Sequence, residues 1–240
     1  MWIDYLIPRL PLVGLLSRPE RLVGGFEAIE HVAIAVGQLR SDQQHVGLLY
    51  RRNTSVRMLH LAFHFDLRDQ EPDSRLLWIR PSLHRSRARS LAAQCRLIAH
   101  TYADGQVPYG FRYANSYFER GTGNLILDKE ASGLTCATFV LAVFASSGVR
   151  LISTEDWPLR PEDSEWQRKI LSLMREGGAE AQTIMAAESQ IGSARFRPDE
   201  VAAASALRFL PAGFRRVSAA ARIVAAEVQI RFAELLATRP

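Results

Sequence analysis

Apolar residues recur along the chain with two different periods. Between residues 29 and 80 they come in short runs rich in β-branched side chains. Ile29–Gly37 (IEHVAIAVG) is β-rich and apolar almost throughout, and reads as a strand. His45–Arg52 (HVGLLYRR) is a second such run. Val56–Leu67 (VRMLHLAFHFDL) is a third, and alternation sets Leu59, Leu61, Phe63 and Phe65 on one face and Met58, His60, Ala62 and His64 on the other. Leu76–Ile79 (LLWI) is a fourth. Short links such as Asn53-Thr54-Ser55 predict antiparallel neighbours.

Beyond residue 82 the period lengthens. Residues 83–104 read as a helix with Leu91, Cys95, Ile98 and Tyr102 on one stripe. A loop punctuated by Gly105, Pro108, Gly110, Gly121 and Gly123 follows. The run from Gly133 to Gly148 then places Cys136, Phe139, Val140, Val143 and Phe144 at helical spacing, with Gly148 as its stop. Residues 153–165 read as a Pro- and acid-rich loop, residues 166–177 as a helix, and residues 198–237 as Ala-rich helices interrupted at Pro211-Ala212-Gly213. The predicted class is α+β, a small antiparallel sheet with helices packed on it. Three stretches are expected: an apolar lead-in over 1–28, a core over 29–152, and a loop and helical extension over 153–240 that packs on the core.

Composition narrows the picture. Of the 240 residues, 48% are hydrophobic and 23% charged, an ordinary globular balance that excludes disorder and fibrous classes. Two cysteines, Cys95 and Cys136, cannot build a disulfide framework. No C-x-x-C, H-E-x-x-H, P-loop or G-x-G-x-x-G spacing occurs, so no metal and no cofactor is expected. The net charge of +5 comes from arginines, since Lys129 and Lys169 are the only lysines. The densest basic stretch, Arg80 to Arg96, contains no aromatic residue. It therefore lacks the stacking groups of a nucleic-acid site, and no nucleic acid is expected. The segment reads instead as a solvated helix start or an anionic-surface patch.

Trp2–Leu16 is apolar but broken by Pro8 and Pro11, with Asp4 and no basic stretch ahead of it. It reads neither as a secretory signal nor as a span, which needs roughly 18–20 apolar residues. Either it packs over the protein's own core or it serves a membrane surface or a protein partner. The expected location is cytoplasmic, or outside the cell by a non-classical route.

Cys136 carries the strongest chemical signal. It falls in the first turn of an apolar helix, where unpaired amides and the helix dipole favour a thiolate and can receive an oxyanion. Cys95, mid-helix, has no such help and reads as core. A base for Cys136 would come from His31, His45, His60 or His64, all in the strand region.

The helix "LTCATFVLAVFASSGVRLI", preceded upstream by "HVGLLYR" and "MLHL", resembles the circularly permuted branch of the papain-like NlpC-type cysteine hydrolase superfamily, which includes YiiX-like and lecithin:retinol acyltransferase-like proteins. The resemblance spans roughly residues 29 to 152. It departs from the pattern at Glu30-His31, where Gly-Asp is usual, and at Leu134-Thr135, where Asn or Asp usually precedes the cysteine. It implies that Cys136 is the nucleophile, His45 the base and His60 the group orienting it. His31 is the rival base and His64 the rival third member. Tyr109, Phe111 and Thr135 would line the acyl site. The implied activity is cleavage of an amide bond (peptide, isopeptide or cell-wall peptide) through an acyl-enzyme. The alternatives are lipid acyl transfer or thioester hydrolysis on the same fold, with the N-terminal segment touching membrane, and a binding module in which Cys136 merely packs.

Overall fold

A computed structural model describes residues 16–17, 25–40 and 43–237. Most of the N-terminal apolar segment, and with it the expectation for Trp2–Leu16, lies outside the described residues. The fold is α+β. Its strands are β1 (Leu16–Ser17), β2 (Val32–Arg40), β3 (Gln43–Arg52), β4 (Ser55–Phe63), β5 (Asp66–Gln70) and β6 (Leu77–Ile79). They form one antiparallel sheet in the order β1-β6-β2-β3-β4-β5. A small ribbon pairs β7 (Tyr117–Phe118) with β8 (Leu125–Ile126). The helices are α1 (Arg85–Thr101), α2 (Cys136–Ser146), α3 (Pro161–Glu176), α4 (Ala181–Glu188), α5 (Pro198–Ala206) and α6 (Phe214–Ala237).

Alternation along the strands divides the interior into two layers. Val32, Ile34, Val36, Val46, Leu48, Tyr50, Leu59 and Leu61 point to the face covered by α1, α2, α5 and α6. Ala33, Ala35, Leu49, Val56, Met58 and Trp78 point to the other face, where Phe26 and Ile29 pack on them. Both faces of β2 and β3 are thus buried, which is why those runs are apolar throughout rather than alternating. The helical layer is one continuous cluster reaching from Val32 to Val228. The alanines of α5 (Ala202, Ala203 and Ala204, all fully buried) leave room for α6 to lie close, with Val217, Ala220, Ala221, Val224 and Val228 on its inner stripe.

Two expectations are corrected. The run Val56–Leu67 is not one strand. It turns at Phe65, whose φ of 52° lies in the left-handed region, and the chain folds back as β5 with Phe63 opposite Asp66. His64 therefore sits in the turn and does not share a strand face with His60. Residues 153–165 are not wholly loop, because α3 begins at Pro161. Pro at the first helical position with Glu162 and Asp163 in the first turn is a helix start written in side chains. Gly148 ends α2 as read, with a φ of 71°.

The β3–β4 pairing depends on a glycine. A Cβ on Gly47 would lie 2.7 Å from Met58 Cε and 2.8 Å from His60 Cβ. Gly47→Ala should therefore cost about 1–3 kcal/mol by overpacking. Urea denaturation measures the loss, and an unchanged midpoint would show that the strands part freely here.

Candidate active site

Cys136 is positioned by two close backbone approaches and a cap. Residues 108–110 lie against 132–134: Leu134 N–H donates to the Pro108 carbonyl at 2.9 Å, and Gly110 N–H donates to Leu134 at 3.3 Å. The approach demands glycine, since a Cβ on Gly133 would fall 2.4 Å from the Pro108 carbonyl oxygen. The chain then enters α2 through Thr135. Thr138 N–H donates to Thr135 Oγ1 at 3.2 Å, and Thr135 N–H donates to Thr138 Oγ1 at 2.7 Å, a reciprocal cap. Cys136 is the first helical residue and is partly exposed.

His45 and His60 come from β3 and β4. His45 Nε2 and His60 Nδ1 are 2.7 Å apart, and the rings meet edge to face at 81°. Both are buried, at 6% and 5% exposure. Burial, then the neighbouring His60 and Arg68, pushes the His45 imidazole down to about 3. Burial and Arg68 push His60 down to about 4, against the opposing pull of Asp66, Gln70 and Asp73. His60 Nε2 has no hydrogen-bond partner among the described residues.

The thiol and the imidazole pair meet the same opening in the sheet from opposite sides. The β3–β4 ladder runs from Arg52–Ser55 only as far as Leu48–Leu59. Arg51 N–H donates toward β2, to His31 at 2.8 Å. By alternation the even-numbered amides of β3 face β4, and that of Val46 lies past the last paired residues. It is the Val46 amide that reaches the Cys136 thiol. His45 is the next residue, and its bond to His60 crosses the opening on the face shared with Gly47 and Met58.

The other expected residues fall as follows. His31 adjoins Val32, which pairs with Tyr50, whereas His45 pairs with Gly37. Six residues of strand, about 20 Å, thus separate His31 from the level of His45, and Arg85 Nε lies 3.4 Å from His31 Nε2. His64 Nδ1 accepts the Tyr109 N–H at 3.1 Å, so it supports the loop before α2. Tyr109 is buried and interacts electrostatically with Cys136. Phe111 is also buried, against Tyr109 and Trp166. The Thr135 hydroxyl is committed to the cap.

The expected lowering of the thiol pKa is overturned. Burial pushes the Cys136 thiol up, and the amides of Val46, Ala137 and Cys136 itself, with Arg195, only partly oppose that. Arg195 had no signal in the sequence: it sits 59 positions downstream in a polar loop. No group of three or more metal-ligating side chains occurs among the described residues. Comparison with protein-family models, curated proteins and solved structures finds no match.

The buried pair makes stability depend on pH. In the unfolded chain each imidazole titrates near 6.5, whereas the folded values lie at about 3 and about 4. Unfolding therefore takes up protons as pH falls below 6.5, and the stability present above that pH is lost toward pH 4. Each histidine contributes a slope of about 1.4 kcal/mol per pH unit in that window. Denaturation midpoints measured from pH 7 to pH 4 should fall steeply for the natural chain and less steeply for His45→Gln/His60→Gln. Parallel profiles would mean that the pair is not buried neutral.

Proposed function

We propose that the chain is a cysteine hydrolase that cleaves amide bonds through an acyl-enzyme, with Cys136 as nucleophile, His45 as base and His60 as the group that orients His45. The observation that supports this reading is the 2.7 Å contact between His45 Nε2 and His60 Nδ1, one residue along β3 from the Val46 amide that bears on the Cys136 thiol. The His45 ring leaves β3 on the face opposite Cys136, so the reading requires the thiol proton to cross the gap past Leu48–Leu59 to His45 Nδ1, the nitrogen not bonded to His60. That requires His45 to donate through Nε2 and His60 to carry its own proton on Nε2, beside Gln70.

In the reaction, the Cys136 proton passes to His45 Nδ1 as the sulfur attacks the substrate carbonyl. The resulting oxyanion is met by amides at the start of α2. His45 returns the proton to the leaving amine as the carbon–nitrogen bond breaks. Water, deprotonated by His45, then attacks the thioester and releases a carboxylic acid and the free thiol. Peptide, isopeptide and cell-wall peptide bonds all fit this chemistry.

Reactivity toward iodoacetamide at neutral pH tests the assignment. Cys136 should be alkylated well before the fully buried Cys95. His45→Ala should slow Cys136 at least about tenfold, and His60→Asn by less, because an amide still accepts the His45 bond. Acetylation of Cys136 by p-nitrophenyl acetate, seen by mass spectrometry and absent in Cys136→Ala, provides the acyl-enzyme. Equal, sluggish alkylation of both cysteines, unmoved by His45→Ala, would make the chain a binding module in which Cys136 packs.

A further inference from the structure

The indole of Trp78 is buried on the sheet face opposite α2, in one cluster with Ala33, Ala35 and Met58. It is 3% exposed, and its Nε1–H has no hydrogen-bond partner among the described residues. A buried N–H left without an acceptor is costly, so such groups are rare in native structures. Trp78 lines a cavity of about 200 Å³ bounded by the end of β6, the approach to β2 and the first turn of α1.

Arg80, Arg85 and His31 line the same cavity. Arg80 Nη2 donates to the Ala28 carbonyl at 3.5 Å, and Arg85 Nε donates to His31 Nε2 at 3.4 Å. These contacts place the two guanidinium groups without cancelling their charge, and among the described residues neither is paired with a carboxylate. Glu30, the acid in the lining, is exposed. The start of α1 adds the positive end of a helix dipole and carries no acid in its first turn, a setting in which Arg85 is unfavourable on its own. Leu83 also lines a second cavity, which holds Arg87, Arg150 and Arg208 and no carboxylate. The field around the start of α1 therefore attracts anions.

We infer that the cavity of Trp78, Arg80 and Arg85 binds the phosphate group of a phosphomonoester. A phosphate dianion offers enough acceptor oxygens to take the indole N–H and both guanidinium groups together. Ile29, Val32 and Ala88 give the cavity an apolar wall for the esterified group. The inference does not rest on Cys136. It gives a role to the arginine-rich segment and to His31, neither of which the hydrolase uses. The same phosphomonoester chemistry is found in soluble esters and in the headgroup of phosphatidic acid.

Phenyl phosphate, titrated calorimetrically into the full chain, is the soluble probe. Arg80→Gln and Arg85→Gln should each weaken its binding at least about fivefold. Arg89→Gln removes the same charge from an exposed position of α1 outside the cavity and should leave binding nearly unchanged. Equal weakening by all three variants means diffuse attraction and overturns the site. In nuclear magnetic resonance spectra, the indole N–H signal that Trp78→Phe removes should move downfield as phenyl phosphate is added; a signal that stays put while the probe binds also overturns it. Vesicles of phosphatidylcholine doped with phosphatidic acid separate the two sources. Sedimentation with these vesicles, lost in Arg80→Gln/Arg85→Gln, assigns a lipid headgroup, whereas binding of phenyl phosphate without sedimentation assigns a soluble ester. Binding of neither probe overturns the inference.

Discussion

The site depends on one place where a β-ladder stops. Past Leu48–Leu59 strands β3 and β4 are no longer paired, and unmatched polar groups there find other partners. The Val46 amide meets a sulfur, and one nitrogen of His45 pairs with one of His60. A buried amide left unpaired would cost on the order of 1–3 kcal/mol. The opening persists because substitutes on both faces of the sheet fill that role. Gly47 allows the arrangement: any side chain there would push against Met58 and the base of His60.

Much of this was legible in the chain because strand and helix periods are physical. Val46, Leu48 and Tyr50 lie on one face of β3 with Leu49 on the other, as alternation requires. The stripe of Phe139, Val140, Val143 and Phe144 follows from helical geometry, and so does the place of Cys136 at its start. Other features could not be read. Phe65 adopts a positive φ although nothing in its identity favours one. Its amide is held by the Val107 carbonyl from across the sheet edge, a tertiary cause invisible locally, and that turn carries His64 away from His60. Arg195 is a similar case: its packing on Trp166, which meets Phe111, joins residues far apart in sequence and adjacent only once folded. The lowered thiol pKa expected from the helix start failed for a related reason: position in a helix is local, whereas burial is not.

The Asp163–Glu200 cluster shows how the C-terminal extension bears on the site. Both carboxylates are almost fully buried, and they draw Arg160 and Arg197 inward from the starts of α3 and α5. Removing one member of such a network strands a charge, which costs far more than the pair contributes when intact. The loop bearing Gln190 and Arg195 is thereby anchored at its far end by ion pairs and at its near end by amide bonds to Phe111 and Arg112. The residues after α2 thus brace the segment that leads into the thiol-bearing helix.

The electrostatics of the resting site point the same way. Burial holds the thiol neutral and both imidazoles neutral, so no thiolate–imidazolium pair stands ready at pH 7. Transferring the proton from sulfur to nitrogen creates two charges in a poorly solvated place and is unfavourable unless other charges move in with it. The Arg195 guanidinium is one of the groups that lower the thiol, so an anion that neutralised it would push the sulfur further up rather than free it. The resting sulfur is therefore protonated and sluggish, and protected from oxidation and stray acylation.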